Sequence, residues 1–347
     1  MRDFLHRVTK IFLILLLITV MITVAVIGWV YFSNQSKLKD EAGLIADPPG
    51  QMVEVDGHKM HVYVTGDENA EDTIVFLHGT GMADASIAMQ PLFEKLADGF
   101  RIVYVDRPGN GYSEAGCGDK SVDNITEETR KALAGAGIEG KLTLFAQTTS
   151  GIEAFYWAGK YPEEISAIIG LDMSTPEEYA SYQSEESGFR YMMYLFSRIG
   201  VTRHIDSAYP DNQYNLYSDK QILVRRALIS RGSYTKDMYE EDKALGDNAR
   251  AANEGGFLED IPMFVMLSNP IMEPYLSTDA SAMADLKAAE EENPGYDFEA
   301  AYNKARMEYF GQYDNVECVE LSGPSALYTY IPEEMSEKIM DFLMKKR

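Results

Sequence analysis

The chain has 347 residues, 46% hydrophobic and 25% charged, a globular balance long enough for one large domain with an insertion. Its formal net charge of −24 repels phosphate backbones, so nucleic acid is not expected as a partner. The two cysteines, Cys117 and Cys318, lack metal-ligand spacing, so no metal site or cofactor is implied, and two separate thiols are expected rather than a disulfide.

Residues 11–32 contain no charge, and a spanning helix needs roughly 20 apolar residues. Trp29 and Tyr31 fall where an interfacial aromatic belt would form. Arg2, Arg7 and Lys10 precede the run, while Lys37 and Lys39 follow it, which biases residues 1–10 toward the cytoplasm. The run exceeds the apolar core of a cleaved signal peptide and lacks a small-residue cleavage site. A retained single-pass anchor in the cell membrane, with an extracytoplasmic globular domain, is expected. Residues 33–50 are polar and end in Pro-Pro-Gly, as in a linker. Beyond residue 32 the chain holds 28 basic and 54 acidic residues, so the domain is expected to stand off anionic head groups.

Residues 51–347 alternate apolar strand runs with helical patterns. Strands are predicted at 52–55, 60–64, 73–78, 101–106, 142–146, 167–172, 263–268 and 316–321, the first two joined by the Asp56-Gly57 turn. Helices are predicted near 89–98, 123–137, 150–161 and 333–346. An antiparallel start followed by β-α alternation predicts an α/β fold with a mostly parallel eight-stranded sheet and helices on both faces. Residues 175–258, helical and rich in Tyr and Met, are too long for a simple connection and read as a helical cap. Residues 270–314 read as an acidic, solvated segment.

Residues 142–161 have the strand–turn–helix layout of a nucleophile elbow, G-x-S-x-G. The five turn positions are Ala146, Gln147, Thr148, Thr149 and Ser150, so threonine stands where a serine nucleophile is needed. The elbow strains its central residue, and a β-branched side chain at positive φ is an outlier, so the turn is expected to relax.

These elements resemble the α/β-hydrolase fold, in its capped esterase-, peptidase- and lysophospholipase-like branch. The resemblance rests on H-G-T-G at His78–Gly81, D-R-P-G-N-G-Y-S at Asp106–Ser113, L-D-M-S-T-P-E from Leu171, and the L-S-G-P-S-A-L-Y-T-Y-I-P run near the C-terminus. It implies a catalytic triad with Thr148 at the nucleophile, Asp172 as the possible acid, and Ser325 in the place of the missing histidine. It also implies an oxyanion hole at Gly79, Thr80 and Thr149. After the seventh strand, Ser268-Asn269-Pro270 offers no carboxylate before Glu273, and no histidine follows His204. A serine hydroxyl is no general base near neutral pH. A membrane-anchored, catalytically impaired protein that binds an apolar or acyl ligand or a partner is therefore expected. The alternative is an active esterase, lipase or peptidase using Thr148 with a rebuilt base such as His204.

Overall fold

The computed structural model describes residues 2–116, 118–182, 187–205, 209, 212, 214–256 and 258–346. Eight strands, β1 (Gln51–Val55), β2 (His58–Gly66), β3 (Thr73–Leu77), β4 (Arg101–Val105), β5 (Leu142–Gln147), β6 (Ile165–Leu171), β7 (Met263–Asn269) and β8 (Val316–Ser322), form one sheet in the order β1-β2-β4-β3-β5-β6-β7-β8. The β1–β2 and β2–β4 pairs are antiparallel and the remainder are parallel. Each predicted strand is present. Asp56 and Gly57 both take positive φ, as a tight hairpin turn between β1 and β2 requires.

The central strands β3, β5 and β7 are buried along their whole length, which explains their continuous apolar runs. Side chains alternate between two cores. Val75, Leu77, Leu144, Val265 and Leu267 join one, against α4 (Val122–Gly135) and α5 (Ser150–Lys160). Ile74, Phe76, Phe145 and Phe264 join the other, against α2 (Ala85–Ala88), α3 (Gln90–Leu96), and the final helix of the chain, which follows β8. Between β6 and β7 lie α6 (Pro176–Ala180), α7 (Ser187–Ile199), α8 (Asp219–Gly232) and α9 (Lys236–Glu254), which make up the cap. Between β7 and β8 lie α10 (Tyr275–Thr278), α11 (Ala280–Glu292), α12 (Phe298–Ala301) and α13 (Lys304–Phe310), and α11 buries no residue, as its charge run implies. The chain closes with α14 (Leu327–Tyr330) and α15 (Pro332–Lys346). The Cys117–Cys318 pairing lies outside the described residues, because Cys117 is not among them; Cys318 is half-buried beside Met307.

Helix α1 runs from Arg2 to Ala42 and is long and apolar enough to cross a membrane. It does not stop where the apolar run stops, so the first part of the expected linker is helical. No glycine or proline interrupts residues 29–42, and Lys37, Leu38, Lys39, Glu41 and Ala42 are good helix formers; Gly43 follows the last helical residue.

His61 knots the linker and the β4 turn to β2. Its Nδ1 lies 2.8 Å from Asp106 Oδ2, and its Nε2 faces the Pro49 carbonyl. A neutral imidazole has one N–H, whereas both ring nitrogens here meet acceptor oxygens, so the imidazolium fits best. Burial opposes that charge, but the Asp106 carboxylate and the Pro49 carbonyl outweigh it and raise the His61 pKa above 6.5. The sign follows from linkage. His61⁺ contributes stability that is complete below the unfolded pKa and is lost as pH rises through the higher folded one. The melting-temperature gap between the native chain and His61→Gln is therefore expected to be widest near pH 6 and to shrink toward pH 9. A gap that widens with pH contradicts this assignment.

Candidate functional site

The turn after β5 is a sharp elbow. Thr148 sits at φ +50°, so the expected relaxation does not occur. Such a conformation costs a β-branched residue on the order of 1–3 kcal/mol and persists where its surroundings over-determine it. Here they do. The Thr148 N–H donates to Leu171 O (3.1 Å), and its carbonyl accepts from Gly151 N and Ser174 N (3.0 Å each). The buried Ser150 hydroxyl donates to Leu77 O (2.7 Å) and accepts from Gln147 N (2.8 Å), which fixes the turn from beneath.

Thr148 Oγ1 lies over Gly79. A Cβ built on Gly79 would come within 2.0 Å of that oxygen, so glycine is required there. Elbow and β3 loop are thus brought together as the sequence implies, but the donor expected of the loop is already in use. The Thr80 N–H donates to Thr149 Oγ1 (3.0 Å), and the Thr80 hydroxyl donates to Glu241 Oε1 (2.9 Å). An oxyanion hole needs donors free to meet developing charge.

Glu241 belongs to cap helix α9, and it also accepts from Arg107, the residue after Asp106 in the β4 turn. The other edge of the Arg107 guanidinium pairs with Glu153 of α5, and Glu153 accepts from the Thr129 hydroxyl at 3.1 Å. All three charged groups are buried. Burial opposes the Arg107 charge, and the two carboxylates outweigh it and raise the pKa. The sequence reading missed this network. Its one visible trace is Glu153, a carboxylate amid the apolar residues of the elbow helix. Along α9, Asp237 and Asn248 repeat the inward polar pattern: Asp237 pairs with Lys120 at 2.7 Å, and Asn248 bonds Val122 N (2.8 Å) and Lys120 O (2.9 Å).

Asp172 accepts from Ser268 N and Ser268 Oγ at 2.8 Å each, tying the end of β6 to β7. Burial raises its pKa against those two bonds. Ser325 is exposed in the loop between β8 and α14. Asn269 is buried at the end of β7 and Glu273 is exposed.

Among the described residues no histidine is hydrogen-bonded to Thr148. The Nε2 of His78 accepts from Arg107 N (3.3 Å), so its Nδ1–H donates to Gly79 O (3.1 Å), and burial beside the Arg107 cation lowers its pKa. His58 lies 3.8 Å from Glu128, and His6 is in α1. His204 is exposed in a short turn whose neighbour Arg203 is paired with Glu41 of α1. Among the described residues no group of three or more His, Cys, Asp or Glu is placed to hold a metal ion. A cavity of about 580 Å³ beside the start of α9 is lined by charge, Lys120, Lys236, Asp237 and Lys243 among it, and touches neither Thr148 nor Ser325.

Comparison with known proteins agrees with the fold. The profile of the α/β hydrolase fold matches residues 72–196, and the chain belongs to the α/β-hydrolase fold family. It is 31% identical over 325 residues to the uncharacterized protein YbdG of Bacillus subtilis (strain 168), covering 92% of each chain. It is 24% identical over 136 residues to 2-hydroxy-6-oxononadienedioate/2-hydroxy-6-oxononatrienedioate hydrolase of Escherichia coli (strain K12), covering 36% of this chain and 46% of that one. Among solved structures, a Vigna radiata epoxide hydrolase mutant superposes with a TM-score of 0.60 at 16% identity, covering 85% of this chain and 98% of that one. The enol-lactonase of Burkholderia xenovorans LB400 gives 0.55 at 16%, covering 85% and 100%.

Removing one partner from a buried ion pair leaves an uncompensated charge and costs about 3–5 kcal/mol. Glu241→Ala is expected to lower unfolding stability on that order in denaturant titration. Glu240→Ala, which breaks only the exposed pair with Lys243, is expected to change it by less than about 1 kcal/mol. Equal losses from the two variants contradict the network.

Proposed function

We propose that this chain is a single-pass, membrane-anchored α/β-hydrolase-fold protein whose elbow does no hydrolysis and whose domain binds an apolar or acyl ligand, or a protein partner, outside the cytoplasm. The observation that carries this reading is the commitment of Thr80 N–H to the Thr149 hydroxyl, beside a Thr148 with no imidazole in reach. Asp172, spent on Ser268, supports it further. In a comparable triad, loss of the serine or histidine costs about 10⁶ in kcat. The roughly 10³ to 10⁴ over water that survives comes from the oxyanion hole and binding, and here the Thr80 donor of that hole is engaged by Thr149. The ligand class rests on the Tyr, Met and Phe content of the cap sequence.

A second reading has one observation in its favour. Thr148 keeps the positive φ of an elbow and turns its hydroxyl toward Gly79, as an attacking residue would. The reading then needs a base that reaches Thr148 only after the cap moves.

Reaction with a fluorophosphonate probe separates the two. The native chain is expected to label no more than Thr148→Ala; labelling that this substitution abolishes overturns the proposal. The double variant Thr148→Ser with Ser325→His is expected to fold and stay inert toward p-nitrophenyl acetate, because Thr149 still holds the Thr80 donor. Thermal shift with fatty acids and acyl esters tests the binding role, since a ligand that binds only the folded state raises its stability. No shift with any of them, together with no partner captured by crosslinking, overturns that role.

A further inference from the structure

Helix α1 does not merely tether the domain; it is clamped to the cap. Arg203 forms two parallel bonds to Glu41, at 2.7 and 2.6 Å, and its Nε donates to the buried Asn34. Gly200, at φ +98°, lets the cap turn close on the helix, since a Cβ there would meet Asn34 Cβ at 2.4 Å. Both α7 and α8 pack against α1, and Ile45 packs on the apolar cluster of Ile87, Tyr112, Tyr217, Val224 and Leu228.

This clamp fixes the height of the cap. Asn34 and Glu41 follow the last apolar residue, Phe32, closely enough that at about 1.5 Å per residue they stand about 3–14 Å beyond the apolar run. The head-group layer of one leaflet is about 5–8 Å deep. The end of α7 that meets Asn34 through Gly200 is therefore held at the level of the head groups. On α7, Tyr191, Met192, Leu195 and Phe196 repeat at i, i+1, i+4 and i+5 and are 37–48% exposed, an apolar stripe on one face. Residues 187–236 contain eight Lys and Arg against three Asp; Arg203 and Arg225 are paired with Glu41 and Asp84 outside the stretch, and Arg198, Lys220 and Arg226 are exposed. An apolar stripe flanked by cations on a helix at the interface suits an anionic bilayer surface.

We propose that the α7 face of the cap lies on the surface of an anionic membrane, as a second lipid contact beside α1. This rests on the reading of α1 as a membrane anchor. The two contacts hold the domain in one orientation, with the cap toward the lipid and the opposite end of the sheet toward solvent.

The test uses the full chain in vesicles of phosphatidylglycerol and phosphatidylcholine carrying lipids brominated near the head group, with tryptophan emission as the readout. The native chain reports on Trp29, since Trp157 is buried. If Trp29 is not quenched, the anchor reading fails and this proposal with it. In a Trp29→Phe background, Phe196→Trp is expected to lose emission to the brominated lipid, less so in pure phosphatidylcholine. Met344→Trp, exposed beside the start of β8, is expected to keep its emission. Quenching of Trp29 in the native chain with none at position 196 overturns the proposal and leaves the anchor intact. A blue shift at position 196 without bromine quenching also overturns it, because the face is then covered by protein, a second copy included.

Discussion

One buried cation holds the site in its present state. The Arg107 guanidinium sits between Glu153 on the elbow helix and Glu241 on the cap helix, so it joins the β4 turn, the nucleophile elbow and the cap. Desolvating one cation and two anions is costly, and the geometry repays it only while all three stay paired. Opening the cap would strand Arg107 with one carboxylate. The cap is therefore a fixed part of the core rather than a lid, and Lys120–Asp237 and Arg225–Asp84 repeat the same device at its other edges.

The chain of bonds continues from Glu241 through the Thr80 hydroxyl, while the Thr80 N–H is held by Thr149. A loop that supplies free donors in a hydrolase is here an internal strut. The elbow keeps its strained backbone because Leu171, Ser174 and Ser150 hold it, not because a nucleophile demands it.

Much of this was legible in the sequence, and the exceptions share a physical cause. Strand runs, the Asp56-Gly57 hairpin, the elbow layout and the missing C-terminal histidine are local signals of period, turn chemistry and residue identity. The Arg107–Glu241 pair joins residues far apart in the chain and leaves no periodic trace. Thr148 was expected to escape positive φ because propensity is local, whereas the bonds that hold it come from β6 and the residues after it. The helical stretch beyond Phe32 was read as linker from its polarity, although its lack of glycine and proline pointed the other way, and the docking partners Asn34 and Glu41 are polar because they meet Arg203. The net negative charge, averaged over the domain, concealed the basic stretch at residues 187–236.

No histidine is hydrogen-bonded to the Thr148 hydroxyl, and the Thr80 N–H is held by Thr149, so the Thr148 hydroxyl is expected to do no hydrolysis. Turnover of p-nitrophenyl butyrate by the full chain in lipid nanodiscs, compared with Thr148→Ala, tests this most directly. The account predicts the same background rate for both. A rate that depends on the Thr148 hydroxyl contradicts it.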